Sequence, residues 1–262
     1  MTTQSSGGAK LQHDRQREIY VLALKHGSVD VSELARRFAV TTETIRRDLS
    51  DLQERQLVRR VHGGAVPLER LSFEPMLDAR DILNADEKMR IAQEAITEVP
   101  ELGSVIIDSG STGHRLAEVF PVDRNVHVLT NSLITATMLT RRGHRQLTVL
   151  GGAVLTNTFA MVDAATVDAV RGLAVDVLFI SCDGLSFRRG LTTPYRDESL
   201  LKRAMIKSAR RVVAMVDQSK FGNGQMFSYA ELDELDVLVT DSRVDDDAVE
   251  ILAGHDIDVR RA

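Results

Sequence analysis

At 262 residues, with 43% hydrophobic and 27% charged side chains, the chain is long enough for one small and one medium domain with a sizeable core. Its net charge of −5 is unevenly spread: residues 1–66 carry 11 Lys/Arg against 8 Asp/Glu and the remainder 22 against 30, which puts the phosphate-seeking end at the N-terminus. No stretch approaches the roughly eighteen apolar residues of a membrane span, and residues 1–10 are polar and glycine-rich without a signal segment, so the expectation is a cytoplasmic protein with no membrane partner.

The first strong pattern lies between Asp30 and Leu49. Leu34, Ala35, Phe38 and Val40 fall at helical spacing and predict a short helix opening after Ser32, with Ser32 as its N-cap. Ala39, Val40 and Thr41 form a break, and a second helix is expected from Thr42 to about Arg55, capped by Thr41, with Ile45, Leu49 and Leu52 as its buried stripe. At 100° per residue that stripe leaves Glu43, Arg46, Arg47 and Ser50 on the opposite face, with Thr42 and Thr44 at the leading end, where they can enter a DNA major groove. A merely solvated helix face is the bland alternative; the basic balance of this end of the chain argues against it.

Residues 57–61 alternate apolar and basic, Gly63 and Gly64 supply a tight turn, and Ala65 and Val66 return as a second strand. This is the pattern of a winged helix, with Arg55, Arg59, Arg60 and His62 placed to meet phosphates. The run Val40-Thr41-Thr42-Glu43-Thr44-Ile45-Arg46-Arg47-Asp48-Leu49, followed by Leu57-Val58-Arg59-Arg60-Val61-His62-Gly63-Gly64-Ala65, resembles the signature of DeoR-family transcriptional regulators. That family usually has Ser where this chain has Thr41 and Gly where it has Gln56.

Residues 67–86, with Pro67 and Pro75 among mixed charges, read as a linker between a winged helix-turn-helix domain over residues 11–66 and a second domain over 87–262. Helical spacing resumes over residues 88–99 through Ile91, Ala92, Ala95, Ile96 and Val99. Seven short apolar runs then alternate with helical segments, at residues 104–107, 126–129, 147–150, 175–180, 212–216, 237–240 and 257–260. Such alternation predicts an α/β domain with a mostly parallel sheet buried on both faces.

Five of these runs end in small or polar residues: Asp108-Ser109-Gly110-Ser111-Thr112, Thr130-Asn131-Ser132, Gly151-Gly152, Cys182-Asp183-Gly184 and Asp217-Gln218-Ser219-Lys220. Ligands of open α/β sheets bind outside the carboxyl ends of the strands, where helix N-termini receive anions, so these clusters predict a pocket for a small, hydroxyl-rich, phosphorylated ligand. Each cluster alone has a plain structural use in capping or turning. None is a GxGxxG or Walker loop, so no dinucleotide or nucleoside triphosphate cofactor is expected.

The single Cys182 excludes an internal disulfide and a cysteine-cluster metal site and reads as a small buried residue; the seven histidines show no paired helical spacing, so no metal is expected. The same C-terminal segments, together with Gly190-Leu191-Thr192-Thr193 and Glu198, resemble the DeoR-family sensor domain, related in fold to ribose-5-phosphate isomerase. By that resemblance the chain is a repressor of a carbohydrate-utilisation operon, bound to operator DNA as a homodimer or homotetramer and released by a sugar phosphate. The family usually offers a glycine after Phe159, where this chain runs Met161-Val162-Asp163, and an aspartate beside a phosphate would repel it.

A sugar-phosphate isomerase with an appended DNA-binding module is the rival reading, with Glu198 as base, Lys220 as cation and Asp183 assisting. Glu198 has a simpler use at the start of a helix, where it can also pair with Lys202 four residues on. Residues 190–194 lack the lysine and glycine-rich loop of the related isomerases, which favours binding without turnover.

Overall fold

A computed structural model describes residues 12, 15, 16, 18–23, 26–54, 57–67, 80, 81, 83–156 and 158–262. The chain divides into two compact units, the second beginning at Asn84. Arg55 and Gln56 lie outside the described residues, as does most of the expected linker.

In the first unit a helical stretch over residues 18–23 precedes β1 (Val29–Asp30), α1 (Val31–Arg37), α2 (Thr42–Glu54), β2 (Val58–Val61) and β3 (Gly64–Pro67). Ile19, Leu34, Ile45, Leu49, Leu52 and Val58 share one core, so the stripe read from the sequence of α2 does face inward. The cap of α1 differs from expectation. Its N-cap is Asp30, whose carboxylate accepts the amides of Ser32 (2.8 Å) and Glu33 (3.0 Å), while Ser32 sits inside the first turn. A carboxylate one turn back reaches two free amides at once and carries the charge that the helix N-terminus favours, which a serine hydroxyl does not.

The cap of α2 is as expected: Thr41 Oγ1 accepts the Thr44 amide at 3.1 Å. The wing is a three-stranded antiparallel sheet in the order β1-β3-β2, one strand more than the sequence suggested. Alternation along β2 is incomplete, since Leu57 and Val58 are buried and residues 59–61 are all exposed. Gly64 is needed for the extra strand, because a Cβ there would lie 1.9 Å from the Val29 carbonyl oxygen. Pro67, expected to open the linker, closes β3 opposite Val58.

The second unit opens with α3 (Ala85–Ala95), which starts inside the expected linker. It continues through β4 (Leu102–Ile107), α4 (Ser111–Val119), β5 (Asn125–Thr130), α5 (Leu133–Arg141), β6 (Leu147–Val149), β7 (Val154–Leu155), β8 (Ala160–Met161) and α6 (Ala164–Arg171). The rest comprises β9 (Val175–Ile180), β10 (Gly184–Ser186), β11 (Gly190–Thr193), α7 (Arg196–Ser208), β12 (Ala209–Met215), β13 (Phe227–Ala230), β14 (Val237–Thr240), α8 (Asp246–Ala253) and β15 (Asp258–Arg261).

All seven expected runs are strands of one parallel sheet, ordered β15-β14-β12-β9-β4-β5-β6. Alternate residues feed the two faces: Val105, Ile107, Val177 and Phe179 pack under α3 and α4, while Ile106, Leu178 and Ile180 pack under α6 and α7. Burial on both faces is why these strands are written as continuous apolar runs. Beyond the sheet lie a β7–β8 hairpin and a small antiparallel sheet β10-β11-β13, neither signalled by the sequence pattern. Among the described residues no helix is long and apolar enough to cross a membrane.

Candidate functional site

The outward face of α2 carries Thr42, Glu43, Arg46 and Arg47, all exposed, with Arg46 3.6 Å from Glu43. Ser50 Oγ donates to the Arg46 carbonyl (2.9 Å) and accepts Arg60 Nη1 (3.1 Å), and the Arg60 amide donates to Gln53 Oε1 (2.9 Å). These contacts hold β2 against α2 and set the Arg60 side chain beside the helix face that carries Arg46 and Arg47. His62 and Gly63 are exposed at the wing tip; Ser32 is exposed at the start of α1, and Gly64 is buried against β1.

On the inner side of α2 the sequence reading missed Asp48. It is 1% exposed and accepts Arg15 Nε at 2.6 Å, Arg15 Nη2 at 3.2 Å and Gln16 Nε2 at 3.0 Å. Its phase, three residues after Ile45, was the available signal: a carboxylate within an apolar stripe must find buried partners.

In the second unit the parallel sheet brings every strand's carboxyl end to one edge. The five polar clusters follow β12, β9, β4, β5 and β6, which are consecutive neighbours, so they line about 19 Å of that edge at about 4.8 Å per strand. The order of connection reverses between β4 and β9, where open α/β sheets form a ligand crevice.

At that reversal Lys202, reaching in from α7, donates to Asp108 Oδ2 and to the Ser181 carbonyl (3.0 Å). Tyr229 Oη donates to the same carbonyl at 2.8 Å, and the Lys202 ammonium lies 5.5 Å from the Tyr229 ring centre. Lys202 is 5% exposed; burial acts to lower its pKa, but Asp108, Glu198 and Asp183 outweigh burial and leave it raised. The expected Glu198 to Lys202 pairing is thus a through-space attraction, while Glu198 Oε2 accepts a hydrogen bond from Thr193 Oγ1 at 2.9 Å. Ser181 and Tyr229 were not singled out from sequence, and Lys202 was read there only as a partner for Glu198. Lys202 had the same signal as Asp48, a charge in phase with the buried Glu198, Leu201 and Met205 of its helix.

Asn131 ties two clusters together: its Oδ1 accepts the Ser109 amide (2.9 Å) and its Nδ2 donates to Ser109 Oγ and to the Met161 carbonyl (both 3.3 Å). Ser132 caps α5 through the Thr135 amide (3.2 Å) and lies 3.3 Å from His114 Nε2, while Thr130 Oγ1 accepts the Ser132 amide (3.1 Å). Gly110 stands at the N-cap of α4 and offers no side chain to the first amides at Ser111 and Thr112. That end of α4 is therefore receptive to an anion.

Gly151 and Gly152 are engaged by α6. Thr166 Oγ1 donates to the Gly151 carbonyl (2.6 Å), and a Cβ on Gly152 would meet Thr166 Oγ1 at 2.1 Å. Asp163, the departure from the family pattern, caps α6 by accepting the amides of Thr166 (3.0 Å) and Ala153 (2.8 Å), and these bonds lower its pKa. The carboxylate thus stays ionised and is turned toward the start of α6 and the Ala153 amide.

Gly184 lies in β10 opposite Thr192, and the Asp183 amide donates to the Thr192 carbonyl (3.1 Å). Asp217 is 2% exposed and accepts the Ser219 amide at 3.1 Å. Burial acts to raise its pKa, but Lys220, Lys88 and Ser219 hold it below the usual carboxylate range. Cys182 is buried at the same end of the sheet, near Lys220 and Lys202, and burial pushes its thiol up to about 12, which leaves it an inert thiol. Among the described residues no group of three or more His, Cys, Asp or Glu side chains is placed to hold a metal ion. The edge combines hydroxyl and amide groups, open helix amides and the cation Lys220, the chemistry that receives a small hydroxylated anion.

A family model described as a DeoR-like helix-turn-helix domain matches residues 15–70, and one described as the DeoR C terminal sensor domain matches residues 83–242. The chain belongs to the DeoR family. Among its DeoR-family relatives, the HTH-type transcriptional regulator GlpR of Haloferax volcanii is 32% identical, with 92% of this chain and 94% of the relative covered. The HTH-type transcriptional regulator IolR of Bacillus subtilis is 30% identical over 97% of this chain and all of the relative, and the glycerol-3-phosphate regulon repressor of Escherichia coli is 29% identical over 94% and 97%. These relatives are named as regulators, not enzymes. Among solved structures, ribose 5-phosphate isomerase A of Methanocaldococcus jannaschii aligns at 19% identity with a TM-score of 0.39, covering 53% of this chain and 56% of that one.

Proposed function

We propose that this DeoR-family protein is a cytoplasmic repressor of a carbohydrate-utilisation operon, which leaves its operator when a phosphorylated sugar occupies the sheet edge. Arg46 and Arg47, with Thr42, Glu43, Thr44 and Ser50 beside them, read base edges, and Arg59, Arg60 and His62 hold phosphates. The protein acts as a homodimer or homotetramer, since helix-turn-helix proteins read paired half-sites.

The observation that carries the sensing half is the alignment of five polar clusters along consecutive strand ends, with Lys220 and the uncapped start of α4 among them. The Escherichia coli relative, a glycerol-3-phosphate regulon repressor, supports the same ligand class. Binding alone makes a switch: a ligand preferring the conformation of weak operator affinity shifts the population by its differential affinity.

A mobility-shift titration tests this, using full-length protein, the DNA upstream of its own gene and a panel of pentose, hexose and glycerol phosphates. Sequence-selective binding released by one of them is expected. Binding that ignores every sugar phosphate, or turnover of one of them, overturns the reading.

A further inference from the structure

Asn84 is the first residue of the second compact unit, where the chain arrives from the helix-turn-helix unit. It has φ +54°, in the left-handed region that asparagine enters more readily than other non-glycine residues. It occupies the N-cap position of α3 without capping it. Its side-chain amide donates instead to Asp217 Oδ1 at 2.9 Å, across to the carboxyl end of β12. A tertiary contact outside α3 thus holds the unusual backbone.

Asp217 also sits among charged groups of the candidate ligand edge. The oxygen that accepts Asn84 accepts Ser219 as well, and the carboxylate faces two cations, Lys220 from its own turn and Lys88 from α3. A second tie runs parallel to the first. Glu87, in the first turn of α3, pairs with Arg243 at 3.4 Å; Arg243 Nε donates to the fully buried Asp241 at 2.7 Å; and Asp241 accepts the Gln218 amide at 2.7 Å. Both ties run from the start of α3 to the turn that carries Lys220.

We propose that Asp217 is a positioning residue that relays occupancy of the ligand edge to the start of α3, by holding Asn84 while sharing Lys220 with the ligand. The idea rests on the reading of that edge as a phosphate site. A phosphate that draws Lys220 onto itself leaves Asp217 with fewer counter-charges, so its hold on Asn84 and Lys88 tightens. The segment joining the two units is then anchored differently in the empty and occupied states, which is the differential interaction that coupling requires.

The test uses the full chain and Asn84→Gly, which keeps the left-handed backbone and deletes only the amide. Operator affinity without ligand and direct binding of sugar phosphate, by calorimetry, should match wild type. The loss of operator affinity at saturating ligand should fall from the about 5- to 150-fold typical of coupled sites to under about 3-fold. In the wild type, hydrogen exchange of amides 85–89 should slow when the ligand is added, a readout that needs no variant.

Full release in Asn84→Gly, lost ligand binding in that variant, or unchanged exchange in wild type each overturns the relay. A wild type that binds operator but ignores every phosphate brings down the proposed function and the relay together. Full release surviving in Asn84→Gly brings down the relay alone.

Discussion

Arg15 and Asp48 form a two-pronged ion pair, Nε to Oδ2 at 2.6 Å and Nη2 to Oδ1 at 3.2 Å, that fastens the inner face of α2 to helical residues 15 and 16 near the N-terminus. With Asp48 1% and Arg15 16% exposed, the pair is shielded enough for its geometry to matter. Asp48→Ala leaves a nearly buried guanidinium and the buried amide of Gln16 without this acceptor, and should destabilise the first unit by about 3 kcal/mol. Denaturant melts of Asp48→Ala, Arg15→Ala and the double variant check this. A coupling energy near zero would show that the pair is ornamental.

Arg46 and Arg47 are exposed on the face opposite that anchor, and each replaced by Ala should weaken operator binding by about 1 to 3 kcal/mol if bidentate to a base. A folded double variant that binds as tightly as wild type sinks the assignment of this face to DNA.

On the wing the two arginines should behave differently. Arg59→Ala should reduce the log-log salt slope of binding by about 1 and act alike on all sequences. Arg60→Ala should also alter sequence preference, because Arg60 holds Ser50 of α2 at 3.1 Å. Salt titrations on operator and scrambled DNA separate the two; identical behaviour refutes the distinction.

Lys220→Ala should bind operator normally yet need roughly 10 to 150-fold more sugar phosphate for release, the equivalent of about 1.5 to 3 kcal/mol for a charge-assisted contact. Equal release midpoints for variant and wild type would remove Lys220 from the ligand site.

Stability should fall as pH rises above 9. Burial raises Cys182 from 9.0 and Tyr20 from 10.0, both to about 12, and Lys202 is raised by its carboxylate neighbours, so the native state binds more protons than the unfolded chain there. The stabilisation is intact below the unfolded values and is lost as pH rises through the folded ones. Cys182→Ala should therefore flatten the decline above pH 9 by up to about 1.4 kcal/mol per pH unit, read from melts across pH 8 to 11. An unaltered slope contradicts the buried-thiol account.

The large sheet was legible because its central strands, covered on both faces, are apolar nearly throughout; the edge strands β6 and β15 are half-buried or exposed, so burial on both faces holds for the interior of the sheet only. Strands β7, β8, β10, β11 and β13 were not legible, since stretches of two to four residues are too short to show a period. Polar clusters at strand ends could be read as a group, but not their internal division of labour. Asp163 and Ser132 cap helices, Asn131 braces a loop, and Asp217 holds Asn84. Those roles depend on partners far away in sequence, such as the 133 positions separating Asn84 from Asp217. Asp48 was overlooked because its helix was read as apolar stripe against charged face, and Lys202 was paired with its helical neighbour Glu198 when its hydrogen-bonded partner is Asp108, 94 positions away; a buried ion pair puts charge in the stripe.

The polar tips follow five adjoining strands, and of the tip residues Cys182 alone is counted in the two apolar cores, so the candidate ligand edge and the packed interior draw largely on separate side chains. Substitutions at the exposed tip positions would alter the proposed ligand chemistry with least effect on the scaffold, whereas Asp108, Asn131 and Ser132 also brace it. A lineage built on this sheet can acquire new chemical tastes by drift in its loops, one tip at a time, without passing through an unfolded ancestor.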